Sequence, residues 1–452
     1  EAAVRRDMAR DDATGVWRVS GGPDWIGKYY LYEIEVYAPT EGKVVVERVT
    51  DPYAVSLSAN GERAQIVDLS DPALAPEGFA RVRHPARAPE DMAIYELHVR
   101  DFSIADAKVP PADRGKYRAF AAKGSNGMRH LSALARAGMT HVHLLPTFDC
   151  ASVPERAEEQ ASPPDLSAFG PASEMQQQTL EPYRSRDAFN WCYDPLHYMA
   201  PDGAFASEPD GPARIYEFRQ MVQGLHRAGL GVVLDVVFNH TRAAGRDPYS
   251  VLDRIAPGYY HRLDANGAVE TSTCCANTAS ERAMMERLMV DAIVMWARAY
   301  KVDGFRFDLM GHHSLDNMVR VRAALDALTP QKDGVDGKAI YLYGEGWNFG
   351  EVANDSRFIQ ATQKTMGAGT GVGTFNDRLR DAVRGGAYND EGEAIVRRQG
   401  FANGLYTAPN ALTTADPAAR AELLRLSDLI RVGLAGSISD FRFIDREGEA
   451  RT

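Results

Sequence analysis

Arg306 and Asp308 stand two residues apart in the run VDGFRFDLMG (Val302 to Gly311), and Glu345 follows 37 residues after Asp308 in YGEGW (Tyr343 to Trp347). Side chains at i and i+2 share a strand face, so Arg306 and Asp308 are predicted to point one way. Phe305, Phe307 and Leu309 then point the other way, toward a layer of helices. A gap of this length is about one βαβ repeat, which puts Asp308 and Glu345 on adjacent strands. Two carboxylates so placed can cleave a glycosidic bond. In the retaining form one attacks the anomeric carbon while the other, kept protonated, donates to the leaving oxygen, with the pair about 5 to 5.5 Å apart. Arg306 is expected to keep Asp308 ionised. Glu345 has no neighbouring cation in the sequence and is expected to be held neutral by partial desolvation beside Gly344 and Trp347.

An Arg-x-Asp pair taken alone is more often a structural ion pair than a site. Here four apolar segments end in polar clusters: His98, Arg100 and Asp101; Asp235, Asn239 and His240; Arg306 and Asp308; Tyr343, Glu345 and Trp347. In a parallel barrel the carboxyl ends of all strands open onto one face, which would gather these residues.

The elements that must position them follow from periodicity. Strands are predicted at AIYELHVRDFS (Ala93 to Ser103), THVHLLPTF (Thr140 to Phe148), GVVLDVVFNH (Gly231 to His240), the Arg306 segment and AIYLYGEGW (Ala339 to Trp347), with GTFNDRL (Gly373 to Leu379) as a sixth. Helices alternate with them: Gly127 to Gly138, Ala213 to Ala228, one opening with a capping box at Thr278 and Glu281 and running to Tyr300, one from Ser314 to Pro330, and Ala421 to Gly436. This β-then-α order predicts a (β/α)8 barrel with about six of its strands visible. Between Cys150 and about Gly211 lies a long irregular insertion of the kind that tends to be functional. The first 85 or so residues are instead rich in β-formers and turns (Tyr29 to Pro39, Lys43 to Ala54, Arg63 to Leu69). They are read as part of a small β-sandwich, giving a boundary of 1–88 and 89–452 with a linker over Pro85 to Pro89.

The chain has 452 residues, 44% of them hydrophobic, and a formal net charge of -11. That is ample for a large core. With no run of Lys or Arg, nucleic acid and anionic membranes are unsuitable partners. No stretch approaches the ~18 apolar residues of a membrane span. Compartment is left open, an extracellular or cell-surface place being slightly favoured. Oligomeric state is open as well. The cysteines (Cys150, Cys192, Cys274, Cys275) lack CxxC spacing, so a thiolate metal site is not expected. Cys274 and Cys275 are not expected to bridge each other without a strained backbone, and other pairings are undetermined.

These motifs resemble the α-amylase superfamily of glycoside hydrolases (family 13), and more narrowly its pullulanase and limit dextrinase group of starch debranching enzymes. DVVFNH (Asp235 to His240), GFRFDLMG (Gly304 to Gly311) and YGEGW look like the superfamily's first three conserved regions. YELHVRDFS (Tyr95 to Ser103), NWCYDP (Asn190 to Pro195) and STCC (Ser272 to Cys275) resemble the debranching group. The resemblance implies that Asp308 is the nucleophile and Glu345 the acid/base of α-1,6-glucosidic hydrolysis in pullulan, limit dextrins, starch or glycogen. It implies that Arg306 and His240 bind the sugar at the cleavage point, that Asp235 organises the site, and that Tyr193 stacks on the sugar. Trp347, His312 and His313 would line the leaving-group side. The β-rich start resembles a starch-binding-type sandwich. No cofactor is required, and a structural calcium is a carry-over without an Asp-x-Asp-x-Asp-Gly loop to hold it.

Two departures stand out. Cys192 occupies a position where the group usually has glycine. The superfamily's fourth region, a His-Asp pair supplying a third carboxylate, is absent after Glu345, and the expectation is that it lies beyond residue 452 of a chain clipped at both ends. A glucan-binding protein without activity and an α-1,4-acting amylase-type enzyme remain as alternatives.

Overall fold

The computed structural model describes residues 3–83, 86–367, 369–438, 441–445 and 447–451. Its centre is one sheet of six strands: β1 (Ile94–Leu97), β2 (His141–Leu144), β3 (Gly231–Val236), β4 (Gly304–Phe307), β5 (Tyr341–Gly344) and β6 (Val372–Thr374). They lie side by side in chain order and every pairing is parallel. The expected strands are all present but shorter than expected, and the sixth is corrected: it is Val372–Thr374, while Asp377–Leu379 of the expected run opens a helix capped by Asn376. Parallel neighbours need crossover connections, and helices supply them. Helix α1 (Asn126–Arg136) precedes β2, α2 (Ala213–Arg227) precedes β3, α3 (Ala283–Tyr300) precedes β4 and α4 (Leu315–Asp326) precedes β5. After β6 come α5 (Asp377–Arg384) and α6 (Pro417–Leu434), with the short helix Glu393–Arg397 between them.

Val142, Leu144, Val232, Leu234, Val236, Phe305, Phe307 and Leu342 are all buried in one continuous core with Leu288, Ala292 and Trp296 of α3 and Phe218 and Val222 of α2. Phe218, Trp296 and Tyr300 meet in an aromatic cluster with ring centroids 4.6–5.2 Å apart, and the Trp296 indole N–H donates to the Tyr198 carbonyl at 2.9 Å. Such pairs add about 0.5–1.5 kcal/mol beyond their area. Leu309 departs from the expected outward row. It sits just past β4 in the left-handed region (φ 40°) and is only half-buried.

Three other expectations are corrected. The capping box at Thr278 and Glu281 does not form: α3 begins at Ala283 with Arg282 before it and no side-chain cap. The Thr278 hydroxyl donates instead to the Phe238 carbonyl, while Glu281 receives Arg262 at 2.9 Å. The stretch from Cys150 to Gly211 is not irregular throughout, since Pro195–Pro201 pairs antiparallel with Phe148–Cys150. Cys274 and Cys275 are bridged, as are Cys150 and Cys192, and no described cysteine is free.

In the amino-terminal part the described residues form three separate antiparallel pairs, the longest between Tyr32–Ala38 and Lys43–Val49. The Arg63 to Leu69 run contributes only Ala64–Gln65, paired with Tyr29–Tyr30. Of the linker, Pro85 lies outside the described residues, and Pro89–Asp91 is a turn of 3-10 helix. The hairpin docks on the rest through buried Glu47, which receives Arg246 and, at 3.0 Å, Arg254. Thr50 reaches the His197 ring at 2.6 Å. No helix among the described residues is long and apolar enough to cross a membrane.

Candidate active site

Register alone brings the polar strand ends together. Arg306 on β4 pairs with Asp235 on β3 on one side and with Tyr343 on β5 on the other. Asp308 follows the end of β4 and Glu345 the end of β5. The Arg306 guanidinium is buried among three carboxylates. Nη1 donates to Asp235 at 2.8 Å and to Asp308 at 3.0 Å, and Nη2 meets Glu345 at 2.8 Å. The Tyr193 and Phe375 rings flank the cation, with centroids 5.8 and 5.7 Å from Cζ.

Each carboxylate has a second set of donors. Asp235 also accepts from the Tyr193 hydroxyl at 2.7 Å and lies 3.1 Å from His143 Nε2. Burial opposes its ionisation, but Arg306 and His143 outweigh it and hold Asp235 below the usual carboxylate range. Asp308 accepts from the Asn239 amide at 2.9 Å, and the same amide reaches the Asp308 carbonyl. Glu345 accepts the Leu309 backbone N–H at 2.9 Å on the oxygen that Arg306 leaves free. The left-handed turn at Leu309 is uncommon for a branched side chain, and it stands immediately after the candidate nucleophile.

The expected division of charge is corrected. Glu345 is not without a cation, because Arg306 serves both carboxylates. Nor does Arg306 keep Asp308 at an ordinary value. Burial pushes Asp308 up to about 7, aided by the Asp235 and Glu345 charges and opposed by Arg306 and Asn239. One guanidinium among three acids leaves the cluster over-supplied with negative charge, so it retains a proton near neutrality.

The other candidates separate into two groups. Tyr193 is half-buried at the cluster. His240 is buried, its Nε2 at 2.6 Å from the Tyr193 carbonyl and its Nδ1 at 2.5 Å from the Asn239 side-chain oxygen. A sugar hydroxyl must therefore displace one of these partners to reach His240. Trp347 is half-buried on the loop after β5, and its carbonyl closes over Gly311, where any Cβ would collide with that oxygen. His312 packs edge-on against Phe349 at 4.6 Å between centroids. His313 is corrected: it is fully buried, bonded to the Ser280 hydroxyl at 2.8 Å and packed on Phe307, and does not line an open groove. Burial drives His312 down to about 4 and His313 to about 3, so both are neutral at ordinary pH.

Cys192 explains its own departure from glycine. It adopts φ 59°, a left-handed conformation that glycine takes at no cost, and its side chain is tied to Cys150 and fully buried rather than projecting beside Tyr193. Three groups could be taken for metal sites, and in one of them, Cys150, Cys192 and Asp202, the sulfurs are already joined to each other. Asp149, Glu155 and Asp202 cluster, but Arg214 binds Glu155 at 3.0 Å and His197 binds Asp149 at 2.6 Å. The Arg214 guanidinium and the His197 ring already occupy these carboxylates, so the trio does not suit calcium. His240 lies by Cys274 and Cys275, whose sulfurs are spent in a disulfide and offer no thiolate.

Sequence reasoning overlooked His143. The alternation in HVHLL puts His141 and His143 on one strand face, the available signal for it. It did not foresee that Asn239 serves Asp308, nor the Leu309 turn, which depends on a backbone angle.

A six-stranded parallel sheet thus carries an arginine-bridged set of carboxylates at the ends of adjacent strands. No protein-family model matches the chain. It is 45% identical over 445 residues to the chloroplastic pullulanase 1 of Arabidopsis thaliana, covering 97% of this chain and 46% of that protein. To the pullulanase of Klebsiella aerogenes it is 40% identical over 487 residues, 98% of this chain and 43% of the relative. Among solved structures, Klebsiella pneumoniae pullulanase complexed with maltotriose superposes with a TM-score of 0.89 at 40% identity, covering 98% of this chain and 45% of that one. The pullulanase from Bacillus acidopullulyticus gives 0.76 at 32%, covering 98% and 46%. The chain is a homologue of pullulanase and isoamylase debranching enzymes, consistent with the α-amylase family. It spans about half the length of the curated relatives it matches.

Proposed function

We propose that this protein hydrolyses α-1,6-glucosidic branch linkages in pullulan, limit dextrins, starch or glycogen by a retaining double displacement. The observation that carries the reading is the Arg306 guanidinium shared by Asp235, Asp308 and Glu345 at the ends of three adjacent parallel strands. In the first step the Glu345 proton passes to the leaving oxygen while Asp308 attacks the anomeric carbon, breaking the glycosidic bond and forming a glycosyl ester. In the second, Glu345 takes a proton from water, whose oxygen attacks the same carbon and releases Asp308. Arg306 and Asn239 hold Asp308 in line, and the Tyr193–Asp235–His143 chain fixes Arg306. Tyr193 offers a ring face to the sugar, and Trp347 and His312 stand on the leaving-group side.

The α-1,6 linkage is favoured over α-1,4 by the pullulanase relatives and by the NWCYDP and STCC segments, since the carboxylates serve either bond. The amino-terminal hairpins are assigned to a sandwich of starch-binding type, with the boundary near residue 88. Assay of the full-length protein on pullulan and on amylose tests the function. Maltotriose from pullulan with little action on amylose is expected. Panose or isopanose would mean an α-1,4-acting enzyme, and no product from either would mean a glucan-binding protein.

A further inference from the structure

Outside the acid cluster, Glu351 is a heavily engaged carboxylate in the loop after β5. It lies six residues past Glu345 and its side chain is 7% exposed. It accepts from Arg262 Nη1 at 2.8 Å, from the Asn277 amide at 3.0 and 3.1 Å and from the Ser272 hydroxyl. Its partners are themselves committed. Arg262 also binds Glu281 and the His312 carbonyl, while the Asn277 amide also bonds the Ser272 hydroxyl at 3.0 Å and its oxygen accepts from Thr273. The His312 ring comes within 3.9 Å of Glu351.

Glu351 thus fastens the loop after β5 to the loop after β3, and Arg262 carries the link on to the loop after β4 through the His312 carbonyl, at the end where Asp235, Asp308 and Glu345 stand. The loop after β3 carries the Cys274–Cys275 bridge to the rim, exposed at Cys274, with its Sγ 3.6 Å from His240 Nε2. The fit is close: at Gly350, whose φ is 75°, a Cβ would press on Ser272 Oγ and stand 3.0 Å from the His312 ring. Because Glu345 delivers its proton to the leaving oxygen, the chain running on from it borders the leaving sugar. A disulfide offers that sugar an apolar wall without hydroxyls, suited to its C–H face.

Resting on the function above, we propose that Glu351 is a positioning residue that pins the disulfide loop Ser272–Asn277 against the loop carrying Glu345 and Trp347, and so shapes the subsite for the departing glucan. Its charge is secure, because Ser272 and Arg262 overcome the cost of burial and draw it to about 2.

The test compares Glu351→Gln, Glu351→Asp and Gly350→Ala with the wild type in the full-length protein, on pullulan and on α-maltotriosyl fluoride. The fluoride has no leaving sugar and reports the chemistry alone. Glu351→Gln and Gly350→Ala should raise KM for pullulan about fivefold or more with kcat within about threefold. Fluoride hydrolysis should stay within about twofold of wild type, and Glu351→Asp should recover part of the loss. An unchanged KM, whether or not the thermal midpoint drops, would show a merely structural residue. A parallel fall on the fluoride would place its effect on the chemistry, and either result overturns the proposal. A wild type that spares pullulan but cuts amylose would refute the linkage reading alone, and the same KM comparison is then made on amylose.

Discussion

Replacing Asp308 by Asn should abolish turnover and make the protein more stable at alkaline pH. The substituted amide would keep the side-chain shape, present its oxygen to the Asn239 amide, and leave Arg306 with Asp235 and Glu345. Removed is a buried negative charge crowded by two others. Folding carries Asp308 from 3.8 to about 7, so between those values the native state holds a proton that the unfolded chain has released. Native stability from this group is therefore full below 3.8 and is lost as pH rises through about 7. The displacement corresponds to roughly 4 kcal/mol as an upper bound, and the expected gain is about 1–4 kcal/mol. Guanidinium unfolding of wild type and Asp308→Asn at pH 8 and pH 4 measures it. The variant should gain this much at pH 8 and little at pH 4. Equal or lower stability at pH 8, or the same gain at both, would refute the crowded-carboxylate argument.

Glu345→Gln should lose several orders of magnitude in kcat on pullulan and far less on a glycosyl fluoride, whose departure needs no proton; equal losses would count against Glu345 as the acid. Arg306→Lys keeps the charge but cannot span Asp235, Asp308 and Glu345, and should cost about 1.5–3 kcal/mol of transition-state stabilisation for each charged hydrogen bond lost, read as kcat/KM. Tyr193→Phe removes the 2.7 Å bond to Asp235 while keeping the ring, and should lower kcat by about tenfold with KM little changed. A large rise in KM alone would instead assign the Tyr193 hydroxyl to binding.

Much of the site was legible because it is built on strands, where register follows from alternation. Arg306, Asp235 and Tyr343 meet because parallel strands set successive crossovers side by side, and the apolar runs around them marked those strands. What escaped depends on distances that sequence does not carry. Glu345 looked cation-free only because its cation lies 39 residues earlier in the chain, on the neighbouring strand. His313 looked like a partner of His312, yet the short turn Met310–His312 sends it inward to Ser280. The Thr278 cap failed because the hydroxyl found the Phe238 carbonyl, a tertiary partner competing with a local one. The vicinal bridge and the left-handed Cys192 and Leu309 are likewise backbone outcomes that residue types alone do not fix.

The account stands most directly on the stereochemistry of the first product. Proton NMR of fresh pullulan digestion by the full-length protein should show maltotriose released as the α-anomer and mutarotating afterwards. Release of the β-anomer would contradict a double displacement at Asp308 and Glu345.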